Sequence, residues 1–195
     1  HIPEYFTIRN RHNNFINFCF NKQSIVEATV LPLKYYDIDA VILFSDILLL
    51  PHCLGQKVNF KKDVGPILQK IKISESFLKK DININDLIPI RNAIGNIKEI
   101  IPSTKDLVGF CGAPWTISCY MLEGGSSKDY ARTRKFLWDN EKLFIKLINK
   151  LTNDCVTFLE YQYLAGATVL MIFDTWSSMI PDKYWVQFGI EPIKY

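Results

Sequence analysis

This sequence lacks long apolar runs, paired cysteine motifs and a surplus of either charge, and each shortage removes a class of function. The longest apolar stretch, Ala40 to Pro51, is interrupted by Ser45 and Asp46, and it falls short of the ~18 residues needed to cross a bilayer. A membrane-spanning helix is therefore not expected. Cys19, Cys53, Cys111, Cys119 and Cys155 contain no CxxC pair, and five is an odd number for a disulfide framework. A reducing compartment is the default. Histidine is scarce: with only His1, His12 and His52, a zinc site would have to be improvised from His52, Cys53 and distant residues without ligand spacing. The 23 basic residues are scattered among 20 acidic ones for a net charge of +3, which is not the footprint of a nucleic-acid surface. No leader-like pattern opens the chain. Because it starts at His1 rather than Met, it reads as an excised or incomplete segment, from which any targeting extension would have been lost.

What is present is globular: 195 residues, 48% hydrophobic and 13% aromatic, enough for a sizeable core. Ala40-Val41-Ile42-Leu43-Phe44-Ser45-Asp46 is an apolar, β-branched run ending in a hydroxyl and a carboxylate, the signature of a strand buried on both faces of a parallel sheet. Leu107 to Gly112 is a second such run, and Ala167 to Phe173 a third, ending in Asp174 and Thr175. Between them lie helical patterns. Ile25, Ala28, Leu31 and Tyr35 predict a helix to about Tyr36, with Pro32 as a kink. Leu87, Ile90, Ile94, Ile97 and Ile101 predict another that Pro102 ends. Ile117 to Glu123, Tyr130 to Trp138 and Leu143 to Ala165 follow. His1 to Asn14 reads as an extended entry into a short helix, and Lys57 to Asp86 as a hairpin or exposed excursion.

Strands alternating with helices define an α/β fold, either doubly wound or a (β/α)8 barrel. Since a barrel takes about 250 residues, this chain would hold only part of one. In either architecture the carboxyl ends of the strands carry the chemistry, which singles out Asp46. Taken alone, Asp46 fits a turn or helix cap better than a catalytic role.

Gly109-Phe110-Cys111-Gly112-Ala113-Pro114-Trp115-Thr116, continuing through Tyr120 and Gly124-Gly125-Ser126-Ser127 to Asp129, closely resembles the signature of the uroporphyrinogen decarboxylase family. So do Phe44-Ser45-Asp46-Ile47-Leu48 with Pro51 and Leu54-Gly55, Pro3-Glu4-Tyr5, and Phe173-Asp174-Thr175-Trp176. The resemblance implies the N-terminal part of a (β/α)8 TIM barrel, incomplete in this chain, with residues 1–195 as its first three βα units. It implies a carboxy-lyase that removes CO2 from the four acetate side chains of uroporphyrinogen III to give coproporphyrinogen III, without metal or organic cofactor. Asp46 matches the catalytic aspartate facing the pyrrole N–H groups and Tyr120 the tyrosine beside it. Arg9 matches an arginine for substrate carboxylates, and Thr175 falls where the family carries a substrate-contacting hydroxyl. On residue type alone, Tyr120 also fits a core tyrosine, Arg9 a solvated arginine and Thr175 a helix cap.

The family's arginine-rich segment would precede His1 and its later strands would follow Tyr195. The 195 residues alone are accordingly expected to be inactive and aggregation-prone, with an unpaired sheet edge. The resemblance further implies a homodimer. The Ile, Asn and Lys bias is similar to that of AT-rich genomes and leaves cytoplasm or plastid open. Two competing readings are a related zinc- or corrinoid-dependent methyltransferase, and a tetrapyrrole-binding protein without catalysis.

Overall fold

The computed structural model describes residues 2–195 and divides them into two compact units; His1 lies outside the described residues. Unit 1 comprises the chain up to Asp46 with Asn83–Phe110 and Phe158–Met171, and unit 2 comprises Ile47–Ile82, Cys111–Thr157 and Ile172–Tyr195.

In unit 1 three short helices precede the first strand: α1 (Pro3–Arg9), α2 (Phe15–Cys19) and α3 (Lys22–Val30). The extended entry expected before Asn14 is instead helical from Pro3. Proline at the first helical position gives up no hydrogen bond, because that N–H has no intrahelical partner anyway. Asn14 caps α2 by accepting from Asn17 N at 2.7 Å, and Asn21 caps α3 by accepting from Ser24 N at 3.0 Å. The helix predicted to run to Tyr36 stops at Val30 and tightens into a 3-10 turn over Leu31–Lys34, with Pro32 in its first turn.

The central sheet has the order β1-β4-β5, with β1 (Ala40–Ile42), β4 (Asp106–Gly112) and β5 (Val169–Phe173). β1 pairs in parallel with β4 in the register Val41↔Leu107. The strand predicted through Asp46 leaves its ladder after Leu43, whose N–H bonds to Val108 O; Phe44 N turns to Thr29 Oγ1 at 2.8 Å. Helix α6 (Ile88–Ile100) matches its predicted stripe and buries Ile90, Ala93, Ile94 and Ile97.

Long helix α9 (Glu141–Ala165) contributes Gln162, whose amide Oε1 accepts from Phe110 N and Nε2 donates to Phe110 O, both at 2.9 Å. Gly109 permits that approach: a Cβ there would lie 2.8 Å from Gln162 Oε1. Only β4 is buried along almost its whole length. β5 exposes Val169 to Ile172, and β1 exposes Ile42. The expectation of strands covered on both faces is thus corrected for β1 and β5, the two outer strands of the sheet.

Unit 2 opens with α4 (Leu49–Cys53) and the predicted excursion, which contains a hairpin of β2 (Val58–Lys61) and β3 (Gly65–Leu68) followed by the short α5 (Glu75–Leu78). Helix α7 (Pro114–Glu123) starts three residues before its expected position, again with proline in its first turn. It ends on Gly124 in the left-handed conformation, φ 84°. Leu68 N reaches Gly124 O at 2.9 Å, and a Cβ on Gly125 would meet Pro66 O at 2.7 Å. Helix α8 (Ala131–Asp139), the first part of α9 and a π-helical turn over Trp185–Ile190 close around a core of Trp115, Tyr130, Phe144 and Phe188. The short α10 (Glu191–Lys194) ends the chain. Among the described residues no helix is long and apolar enough to cross a membrane.

Candidate active site

The sequence-predicted residues fall into two groups, Arg9 and Asp46 in unit 1, Tyr120 and Thr175 in unit 2.

In unit 1 Arg9 lies against an aromatic cluster that includes Phe44, two residues before Asp46. Phe44 packs its ring 4.3 Å from that of Phe18 and 5.8 Å from that of Tyr5, and Phe15 stands edge-on to both Phe18 and Phe44. Arg9, in the last turn of α1, lies over this cluster with its guanidinium carbon 5.6 Å from the Phe15 centroid and 6.0 Å from that of Phe18. One of its N–H groups donates to His12 O at 3.0 Å. The half-buried arginine is held by its neighbours rather than waving in solvent. His12 stacks on Phe18 at 5.2 Å and shares a 2.7 Å hydrogen bond with Ser24 Oγ.

Cys19, fully buried, registers both charges. Burial pushes its thiol well above the ordinary range; Asp46 pushes it further and Arg9 pulls it back. A carboxylate and a guanidinium thus both act on the Cys19 thiol, next to Phe18 in the chain. A guanidinium can fork onto carboxylates and a carboxylate can offset positive charge on a ring system; Phe18 itself is fully buried, so the cluster is core packing behind these groups.

In unit 2, Tyr120 occupies the last turns of α7, half-buried, its ring edge-on to Trp176 at 6.1 Å. Trp176 also contacts buried Tyr130 at 4.8 Å. Thr175 is exposed just beyond β5. The 3-10 turn that follows, Ser177–Met179, has no side-chain cap at its N-terminus, so Thr175 does not serve as its cap.

Asp174 was absent from the predicted site, yet burial holds its carboxyl above the usual carboxylate range, partly offset by hydrogen bonds from Thr116. Thr116 Oγ1 donates to Asp174 Oδ1 at 2.7 Å. The signal was in the sequence: a second strand ends in a carboxylate as β1's run does. Thr116, by contrast, is separated from Asp174 by 58 positions and carried no local cue.

A half-length α/β barrel with strand-end carboxylates is the class of protein this fold defines. In its fold the chain is similar to a methyltransferase from Methanosarcina mazei, with a TM-score of 0.74 over 98% of this chain and 57% of that one, at 16% identity. The family model for uroporphyrinogen decarboxylase (URO-D) matches residues 1–195. The chain is 41% identical over 195 residues to uroporphyrinogen decarboxylase of Rickettsia felis and 40% identical to that of Rickettsia massiliae, covering 100% of this chain and 56% of each of those proteins. The chain belongs to the uroporphyrinogen decarboxylase family. It spans about half the length of the curated relatives it matches. Those relatives are bacterial, and the plastid alternative has no support among them.

Proposed function

We propose that the protein carrying this chain is a uroporphyrinogen decarboxylase, a carboxy-lyase that converts the four acetates of uroporphyrinogen III to methyl groups in a bacterial cytoplasm. Residues 1–195 would form the first three βα units of its barrel domain, and the protein would act as a homodimer. The observation that carries the reading is the family match along all 195 residues, with Arg9 over the Phe15 and Phe18 rings and the joint influence of Arg9 and Asp46 on Cys19 as its chemical support.

The reaction needs an electron sink. Protonation of an electron-rich pyrrole carbon gives a cation that accepts the electron pair of the breaking C–C bond as CO2 leaves. A second proton then turns the exposed methylene into methyl, and the ring loses the first. The pyrrole supplies its own sink, so no cofactor enters the scheme. Asp46 would face the pyrrole N–H groups and stabilise the cation, a fixed charge placed before the reaction begins. Arg9 would bind substrate carboxylates through its planar fork. Tyr120 and Thr175 would orient the macrocycle.

The test is anaerobic turnover of uroporphyrinogen by the full-length protein without added metal, wild type beside Asp46→Asn. Coproporphyrinogen from the wild type and a fall of about 100-fold or more in the variant are expected. A folded wild-type protein without turnover overturns the reading. Activity retained in Asp46→Asn overturns the role of the aspartate alone. The 195 residues by themselves are expected to show no turnover.

A further inference from the structure

Beyond Phe173 the chain is gripped by the first turn of α7. Ala113 N donates to Phe173 O at 2.9 Å. Buried Thr116 does two things with one hydroxyl: it donates to Asp174 Oδ1 at 2.7 Å and accepts from Trp176 N at 3.0 Å. Because an amide N–H can only donate, the single Thr116 proton is committed to Asp174. Trp115 Nε1 donates to Trp176 O at 3.0 Å, and Ser177 N donates to Asp174 O at 3.2 Å. Exposed Thr175 sits between the two residues that Thr116 holds. The Trp176 ring in turn meets Tyr120 edge-on at 6.1 Å.

A carboxylate whose only task was to end a strand would cost less in water, where β5 already exposes its neighbours. Asp174 instead accepts the expense of partial burial, felt as the upward push on its carboxyl. What the geometry gains is a strand-end segment with a defined backbone path rather than a loose loop. A 2.7 Å hydrogen bond from a fully buried hydroxyl on a helix is a rigid anchor of the kind that supports residues meeting a ligand.

We propose that Thr116 and Asp174 are a positioning pair, which fixes the Asp174–Ser177 segment and so places Thr175 and Tyr120 for the tetrapyrrole. This rests on the decarboxylase reading above. Neither residue of the pair reacts; both act through the residues they hold.

The experiment compares Thr116→Val with Thr116→Ser, and Asp174→Ala with Asp174→Asn, in the full-length protein, by steady-state turnover of uroporphyrinogen and by thermal melting. Val and Ala break the hydrogen bond, whereas Ser keeps the donor and Asn keeps the acceptor. The expected result is a fall of about tenfold or more in kcat/KM for Thr116→Val and Asp174→Ala, carried mainly by KM because the contacts placed are with bound substrate. Thr116→Ser and Asp174→Asn are expected to recover to within about threefold of wild type.

An active wild type with Thr116→Val equal to it overturns the pair and leaves the decarboxylase reading standing. A folded wild type without turnover overturns that reading, and the pair with it. Loss in Thr116→Ser as deep as in Thr116→Val overturns the positioning role, and so does unfolding of both Thr116→Val and Asp174→Ala, which would assign the pair to stability.

Discussion

Lys150 and Asp154 place two charges one helical turn apart inside unit 2, with N···O distances of 2.8 and 3.1 Å and side chains only 9% and 10% exposed. The Asp154 carboxyl is raised, chiefly by burial, against the lowering from Lys150 and with Asp81 adding to the push; two charges taken out of water carry a desolvation cost. Removing one partner strands the other. Lys150→Met is expected to cost about 3–5 kcal/mol in urea unfolding, and adding Asp154→Leu to recover most of that loss. Asp174 yields a pH prediction. Its folded-state carboxyl is raised from an ordinary 3.8, mainly by burial. A raised group contributes stability that is whole below the unfolded value and is lost as pH rises through the folded one. Asp174→Asn cannot ionise, so it escapes that loss. Melting curves at pH 4 and pH 7 are expected to show the variant gaining on wild type at the higher pH; a constant difference would mean that Asp174 does not titrate in this range.

Two glycines separate what a helix wants from what a strand junction needs. In α6 a Cβ on Gly95 would meet nothing within 4 Å, whereas on β4 a Cβ at Gly109 would crowd Gln162 Oε1 at 2.8 Å and Ala167 Cβ at 3.1 Å. Gly95→Ala is therefore expected to stabilise unit 1 by up to about 1 kcal/mol, by relieving helix-interior glycine. Gly109→Ala is expected to destabilise by about 1–3 kcal/mol, since it dislodges the amide that satisfies both backbone groups of Phe110. Unfolding of both variants by denaturant checks the opposite signs. The same contrast marks what the sequence revealed. The apolar stripe of α6 was legible because its signal is local, whereas Lys57 to Asp86 read only as a hairpin or exposed excursion, without the strands Val58–Lys61 and Gly65–Leu68 that pair there. Gln162 on Phe110 and Thr116 on Asp174 join residues 52 and 58 positions apart, and no local pattern encodes such a bond. β1 and β5 were read as covered strands because an apolar run looks alike whether or not a neighbour lies against it. Asp46 and Arg9 were singled out by family motifs rather than by any spacing between them, and their roles stand as proposals.

At the scale of the whole chain, the outer strand β5 decides behaviour. Val169, Leu170, Met171 and Ile172 are each 39–42% exposed, and β5 stands at one end of the strand order. An apolar outer strand with unpaired backbone groups is a template for another copy. The 195 residues, expressed alone, are accordingly expected to self-associate, and Leu170→Lys to reduce that association, because a charged side chain on an edge opposes strand addition. Static light scattering across a concentration series measures it. In a protein of the relatives' length, of which this chain spans 56%, a family barrel would bury the same strand. There Leu170→Lys should lower the melting temperature, an unpaired charge then being desolvated. Improvement in the short chain together with harm in the long one would locate β5 at a covered seam of the barrel. Harm in neither would mean that β5 remains an outer strand in the longer protein, and that its edge is protected by something other than the next strand.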